Sequence, residues 1–350
     1  MTENAGLSGI VDGHMHQWDP LATPRVASAP AKVVRRAPFL SAPLFRTFPR
    51  ATRDFVGDPR YLLNPYLPLD YAADSAAAHV DTVVHIQAGW QGRSPMDAVD
   101  ETRWVAALPF GIGTAPRLGA IVVHANPAER SIGAVLDGHM RASTLVRGVR
   151  CIAAFGSDRG VMDFAERDGL LCVSDFLRDF AEIADRGLSF DIWLYAHQLR
   201  QALPLVSEYP ETTFILDHYA TPAGALGPLG NGVGAAPAER RVIVDRWRDD
   251  IAALADRPNV VAKHSGFGMP VLGLGRVSRE HLRDAIGPLT EHVEDVFGPQ
   301  RTFWSSNFPI DKPGVTLADS VWILRQVLGD RLDDEAMFRG NVCRVYRIDP

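Results

Sequence analysis

Short apolar runs recur along the chain, each closing in polar residues and each followed by a stretch with helical spacing. The runs cover 9–16, 80–88, 118–125, 146–153, 188–197, 212–218, 259–265 and 301–307, and helical spacing fills 72–79, 95–108, 127–140, 173–186, 198–209, 239–256, 278–297 and 317–328. Strands that alternate with helices imply a parallel sheet with crossover helices. Parallel strands are buried on both faces and read as continuous apolar runs, as Ala-Ile-Val-Val-His and Thr-Phe-Ile-Leu-Asp-His do. Eight such units predict an α/β fold, a closed (β/α)8 TIM barrel rather than an open doubly wound sheet. No GxGxxG or GxxxxGK[ST] stands at a strand-to-helix junction, which removes the main support for the open nucleotide-binding alternative.

One stretch breaks this rhythm. Residues 20–69 hold nine prolines and little periodicity, too long for an ordinary strand-to-helix connection, and read as an elaborate loop. Eight basic residues, Arg25, Lys32, Arg35, Arg36, Arg46, Arg50, Arg53 and Arg60, face only Asp54 and Asp58 there, a balance of +6. The 350 residues are therefore read as a single barrel domain, 1–350, with a lid-like insertion at 20–69. A solvated loop or the arm of a homo-oligomer is the alternative reading of that insertion. A second loop rich in Gly, Pro and Ala, 221–237, follows the sixth strand.

Charge sharpens the picture. The whole chain carries −6, so the remainder outside the insertion carries −12. A mildly acidic chain lacks the global positive field that binds a phosphate backbone, which argues against nucleic acid as a partner. A basic insertion beside the barrel mouth favours an anionic small-molecule substrate instead. No apolar run approaches the roughly 20 residues that span a bilayer, and the start is too polar for a signal peptide, so no membrane is expected and a cytoplasmic location is. Cys151, Cys172 and Cys343 form no CxxC and are read as reduced core thiols.

The strongest chemical signal is Asp12-Gly-His14-Met-His16-Gln-Trp18. Side chains two apart on a strand share a face, so Asp12, His14 and His16 are expected to point one way, with the histidines at the carboxyl end. Two imidazoles so placed can ligate one metal ion at about 2.0–2.1 Å, with Asp12 orienting one of them from below. A pair of satisfied polar residues at a strand end is the plainer alternative. His218 closes the sixth run, and Trp193, Tyr195 and His197 alternate along the fifth, which would bring Tyr195 and His197 into the mouth. Histidines at three separate strand ends converge in space only in a closed barrel. His85 and His124 lie near the ends of the second and third runs, where a structural role is favoured, while His79, His139, His281 and His292 fall on helices and read as surface residues. Arg150 on the fourth run suits a bidentate clamp on a carboxylate or a polarised carbonyl, or else an ion pair with a neighbouring strand. Lys263 and Ser265 share one face of the seventh run and His264 has the other, so one set faces inward.

Taken together, Ile-Val-Asp-Gly-His-Met-His-Gln-Trp-Asp-Pro, Val-Val-His-Ile-Gln-Ala, Arg-Gly-Val-Arg, Phe-Ile-Leu-Asp-His-Tyr, Asn-Val-Val-Ala-Lys-His-Ser-Gly and Trp-Ser-Ser-Asn-Phe-Pro-Ile-Asp resemble the amidohydrolase-2 branch of the amidohydrolase superfamily. The group of metal-dependent TIM-barrel hydrolases with sugar lactonases and pyrone-dicarboxylate lactonase is the most similar part of that branch. The motifs run in strand order over essentially the whole chain, and Arg339-Gly-Asn-Val-Cys-Arg-Val-Tyr346 resembles the closing helix of that group.

The resemblance implies one divalent ion, Zn or Mn, on His14, His16 and His218. It implies that Arg150 and Tyr195 hold the substrate's carboxylate and carbonyl; Trp18, His85 and Lys263 are further candidates for substrate contact, and His218, Asn307 and His197 are the candidates for catalysis. In the family the eighth strand ends in an aspartate, within Gly-Ser-Asp-Trp-Pro, that activates the attacking water; here that position is Asn307. An amide accepts no proton at neutral pH, so the usual base is missing and a metal-free site becomes an alternative. Either a metal-activated water works with a histidine, or His264, His197 or Asp311 takes over, or the barrel binds without turnover. The expected activity is opening of a lactone of a carboxylated small molecule. A non-oxidative decarboxylase of the same branch and a non-catalytic binding barrel are the alternatives.

Overall fold

The computed structural model describes residues 9–156, 161–230 and 232–349; the polar start at 1–8 and position 231 of the loop after the sixth strand lie outside the described residues. The eight apolar runs form eight parallel strands, hydrogen-bonded in chain order: β1 (Ile10–Met15), β2 (Val80–Ile86), β3 (Arg117–His124), β4 (Val146–Arg150), β5 (Ser189–Ile192), β6 (Phe214–Leu216), β7 (Val260–His264) and β8 (Thr302–Trp304). The ring is nearly closed, because just past its end β8 meets β1 through a single parallel bridge between Met15 and Phe308, with His16 N donating to Phe308 O at 2.8 Å and Asn307 N to His14 O at 2.8 Å.

Two apolar layers hold this ring. Inside it, Val11, Val84, Ile86, Ala120, Val122, Ile215, Val261 and Phe303 pack with Val342, Val345 and Tyr346 of the helix Asn341–Tyr346. That helix covers the amino-terminal end of the barrel: Arg339 donates to Gly9 O at 2.6 Å and the Asn341 amide to Thr302 O at 2.8 Å. Outside, the crossover helices lay apolar stripes on the strands. Arg279–Phe297 shows why: Ser278 caps it by accepting from His281 N, Gly298 at φ 76° ends it, and Leu282, Ile286, Leu289, Val293 and Phe297 recur every three or four residues and are buried. Among the described residues no helix is long and apolar enough to cross a membrane.

Residues 20–69 are not an irregular loop. They form α1 (Ser28–Arg36), α2 (Ser41–Arg46), α3 (Arg50–Val56) and α4 (Arg60–Leu63), followed by α5 (Pro68–Ser75). Prolines stand in the first turn or just before it in each of these helices, where the missing N–H costs no intrahelical bond. Helices of four to nine residues are too short to display a 3.6-residue period. The segment returns along its own start, with Trp18 and Tyr66 exchanging backbone bonds at 3.2 and 2.8 Å. Phe55 of α3 lies 4.7 Å from the Phe164 ring and 6.0 Å from Trp193, and Asp54 accepts from Gly230 N at 3.0 Å. α3 thereby touches the connections that follow β4, β5 and β6.

Two further expectations change. Cys172 is exposed, its thiol directed at Gln201 O, rather than part of the core. His139 is buried, between the Thr102 hydroxyl (2.7 Å) and His124 O (3.0 Å), rather than on the surface.

Candidate active site

Strand β1 carries a bulge. Asp12 pairs with Val83 but Met15 with His85, so three steps on β1 match two on β2. The extra residue reverses the alternation between Asp12 and His14. Asp12 therefore faces the outer layer, where it accepts from Tyr71 Oη at 2.7 Å, from Ser306 N at 2.9 Å and from the Ser306 hydroxyl, and it touches neither imidazole. His14 and His16 turn inward with their Nε2 atoms 3.2 Å apart. His16 Nδ1 donates to Ile86 O at 2.8 Å, which leaves a lone pair on its Nε2 and makes His14 Nε2 the donor across the pair. His14 Nδ1 then accepts from Lys263 Nζ at 3.0 Å.

β6 ends at Leu216, and the chain then turns through four consecutive non-glycine residues in the left-handed region, His218 (φ 53°), Tyr219 (55°), Ala220 (55°) and Thr221 (38°). Such a run costs backbone energy and is typical of sites where side-chain placement is over-determined. It brings Asp217 and His218 in together. Asp217 Oδ1 lies 3.3 Å from His14 Nδ1 and 2.9 Å from Lys263 Nζ, and Oδ2 lies 3.5 Å from Arg150. His218 Nδ1 meets the Ser265 hydroxyl at 2.8 Å, and its ring centre is 4.6 Å from that of His14.

Lys263 and Ser265 are the inward set on β7. Lys263 is wholly buried, paired with both Asp191 and Asp217. His264 faces outward to Tyr219 Oη (2.6 Å) and Glu294 (3.1 Å). Burial opposes ionisation of Asp217, but the Lys263 charge and the contact with His14 outweigh it and hold this carboxyl well below its ordinary range. Asp191, sharing the same cation and also accepting from Tyr346 Oη at 2.9 Å, is raised to about 6 by burial. Burial, reinforced by the cations, depresses all three imidazoles: His14 well below its usual value by burial and Lys263, His16 to about 3 by burial and Arg150, His218 to about 3 by burial. They are neutral at physiological pH, the form that ligates a metal.

The remaining sequence candidates divide. Arg150 joins the cluster, 3.5 Å from His14 Nε2, with Nη2 on Gln87 O at 2.7 Å. Trp18 stacks 6.3 Å from His16 but commits its indole N–H to Asn64 O. Asn307, at φ 55°, reaches His16 and donates through Nδ2 to Asp311 Oδ1 at 2.7 Å. Burial raises Asp311 to about 7. Tyr195 donates instead to Met162 O, and His197 stacks on Tyr195 at 6.2 Å, beside Asp168, so neither joins the histidine cluster. Their strand ends at Ile192, and the alternation that would carry them into the mouth ends with it. His85 points away from the barrel interior, because Val84 and Ile86 occupy the inward positions on β2. Asp217 is the residue that sequence reasoning missed. Its signal was adjacency to His218, but strand alternation argued that neighbours face opposite ways.

The donor set fits a divalent ion. With the His14 proton moved from Nε2 to Nδ1, where Asp217 Oδ1 lies 3.3 Å away, both Nε2 lone pairs are free and their 3.2 Å separation matches the edge of a tetrahedron, about 3.3 Å for ligands at 2.0–2.1 Å. The far nitrogens of His16 and His218 are held by Ile86 O and Ser265, as ligating histidines require. His14, Asp217 and His218 also bring one ligand atom each within 4.8 Å of one another.

A family model described as amidohydrolase matches residues 11–348. The chain is 28% identical over 345 residues to an uncharacterized protein of Sinorhizobium fredii, covering 97% of this chain and 98% of that one. It is 29% identical over 171 residues to an L-fucono-1,5-lactonase of Burkholderia ambifaria, over 46% of this chain and 51% of the lactonase. Its fold is similar to that of a crystal structure of an amidohydrolase from Burkholderia multivorans with bound Zn, with a TM-score of 0.69, 19% identity, and coverage of 98% of this chain and 100% of that one.

Proposed function

Because the chain belongs to the amidohydrolase family, we propose that it is a hydrolase that opens a lactone of a carboxylated small molecule. The observation that carries this reading is the meeting of three neutral imidazoles with Arg150 and Lys263 in one buried group. Partial similarity to L-fucono-1,5-lactonase supports the choice of a cyclic ester.

His14, His16 and His218 would hold a divalent ion, which when bound supplies Lewis-acid polarisation of the ester carbonyl and acidifies a water. Arg150 binds and orients the substrate's oxygen atoms. Asp217 stays ionised and offsets the Lys263 and Arg150 charges, so the pocket accommodates those cations without a surplus of positive charge. Of the groups able to replace the missing base, His264 faces outward and His197 lies beside Tyr195. Asp311, in contact with Asn307 and titrating at about 7, is the proton acceptor. Asn307 positions it.

The insertion serves as a lid. Phe55 rests on Trp193, which lies 6.4 Å from the His218 ring and 5.8 Å from the Arg150 guanidinium, so α3 reaches the cluster through one intervening ring. Its positive balance favours an anionic substrate.

Purified protein should hydrolyse members of a panel of sugar-acid and ring-carboxylated lactones, and His14→Ala should lose at least about 100-fold in kcat/KM. The rate should rise with pH through about 7 and level off, and Asp311→Asn should abolish that rise. Wild-type rates in His14→Ala would refute the site.

A further inference from the structure

β6 ends two residues before His218, and the strained turn that follows carries this histidine to the site. Residues with side chains hold the left-handed region at a cost, and four in succession persist only where neighbouring groups fix each of them. Relaxed to an extended path, the same residues would alternate, and Asp217 and His218 would point to opposite sides.

What fixes the turn lies on the side away from the site. The Tyr219 ring is buried, and its Oη meets His264 Nδ1 at 2.6 Å and Thr290 Oγ1 at 3.0 Å. His264 Nε2 lies 3.1 Å from Glu294 Oε2, which also accepts from the Thr302 hydroxyl at 2.8 Å. A carboxylate only accepts, so His264 carries its proton on Nε2 and its Nδ1 accepts from the Tyr219 hydroxyl; the Tyr219 oxygen in turn accepts from Thr290. Thr290 and Glu294 stand one turn apart on one face of the helix Arg279–Phe297, so a single rigid element backs the whole series. Two indoles hold the turn from elsewhere: Trp247 donates to Tyr219 O at 2.7 Å and Trp193 to Thr221 Oγ1 at 3.0 Å.

Three consecutive residues at the end of β7 grip both sides of this turn. His264 takes Tyr219 outside the ring, and Ser265 takes the His218 imidazole inside it at 2.8 Å. Gly266, at φ 80°, leaves the room His218 needs, since a Cβ there would come within 2.7 Å of the His218 Cβ. Nothing in the proposed chemistry uses Tyr219, His264 or Glu294.

We propose that Tyr219 and His264 are positioning residues: the bond between them, backed by Glu294, holds the strained turn so that Asp217 and His218 face the cluster together. That His218 holds an ion rests on the hydrolase reading above; the positioning does not.

Zinc competition against a chromophoric chelator, with hydrogen exchange of the metal-free protein, tests this without turnover. Tyr219→Phe keeps the ring and removes only the hydroxyl. It should weaken zinc about tenfold or more and speed exchange of the Ala220 and Thr221 amides, which bond to Asp217 O and His218 O, by about tenfold or more, while amides of β2 stay at the wild-type rate. Ile286→Val, a buried change on the same helix, is the control: it should lower the thermal midpoint and leave zinc affinity alone. His264→Asn places an amide oxygen near the position of Nδ1 and should retain more zinc affinity than His264→Leu, and adding Tyr219→Phe to His264→Leu should cost nothing further. Thr290→Val removes only the bond behind the hydroxyl and should show the same two changes in smaller degree; it decides the matter if Tyr219→Phe does not fold. Unchanged zinc affinity or unchanged exchange in Tyr219→Phe, an equal loss of affinity in Ile286→Val, or a His264→Asn no better than His264→Leu would overturn the positioning role. Faster exchange at Ala220 and Thr221 in a protein that takes up no zinc would uphold the role and remove the ion from the reading above.

Discussion

Lys263 offers the sharpest test of the electrostatics. Its ammonium is wholly buried and touches Asp191, Asp217 Oδ1 (2.9 Å) and His14 Nδ1 (3.0 Å). Lys263→Met keeps the apolar stem and removes the charge. Two carboxylates that shared one cation are then left in a dry barrel, and breaking a buried pair in this way costs about 3–5 kcal/mol. A chain of 350 residues has an unfolding entropy of about 0.7 kcal/mol/K, so the thermal midpoint should fall by about 4–7 °C near neutral pH. The pH dependence gives a second reading. In wild type Asp217 is held below its ordinary range by Lys263, so its contribution is present above about 4 and is lost only as pH falls below that. Without Lys263 both carboxyls have folded values above their unfolded ones. Such groups contribute stability at low pH and lose it as pH rises through the folded value. The deficit of the variant should therefore be smaller at about pH 5 than at about pH 8. Circular dichroism melts of both proteins at these pH values measure it. A deficit under about 1 °C near neutrality, or one that grows toward acid, would refute the reasoning.

Two other substitutions probe the site and its cover. Asn307→Asp replaces the amide that donates to Asp311 at 2.7 Å with a second carboxylate, so one of the two must keep a proton; the variant should lose more stability at about pH 8 than at about pH 5. It also adds a ligand beside His16, and elemental analysis after dialysis should find more divalent ion per chain; unchanged content would count against His14 and His16 as ligands. Phe55→Ala removes the ring seated between Phe164 and Trp193 and should cost about 3–5 kcal/mol where the gap stays open. Limited proteolysis within 20–69 should then accelerate, and an unchanged cleavage rate would show that this ring does not anchor the insertion.

The strands, their order and the inward histidines of β1 were legible because buried parallel strands write themselves as apolar runs and their carboxyl ends collect polar residues. What period-2 reasoning could not deliver were departures from the period. The bulge between Asp12 and Met15 sends Asp12 outward while His14 turns in, and no local signal marks it beyond Gly13. A left-handed run after Leu216 puts Asp217 beside His218 on one side of the site, where alternation would separate them. Tyr195 and His197 were misplaced for the opposite reason: the apolar pattern continues past Ile192, but the strand does not. His85 was read by its nearness to a strand end, while Val84 and Ile86 already held the inward positions. The helices of 20–69 escaped notice because each is about one or two turns long.

Tyr346 enters the barrel from below and bonds to Asp191, which shares Lys263 with Asp217 and, through it, with His14. The groups joined in this way, from His14 to Tyr346, span more than 300 residues of the chain. During synthesis His14 emerges well before Asp191, Asp217, Lys263 and Tyr346, so its imidazole precedes the charged and polar groups that come to surround it. The bonded series from His14 to Tyr346 is therefore complete only once the helix Asn341–Tyr346 has docked beneath the barrel.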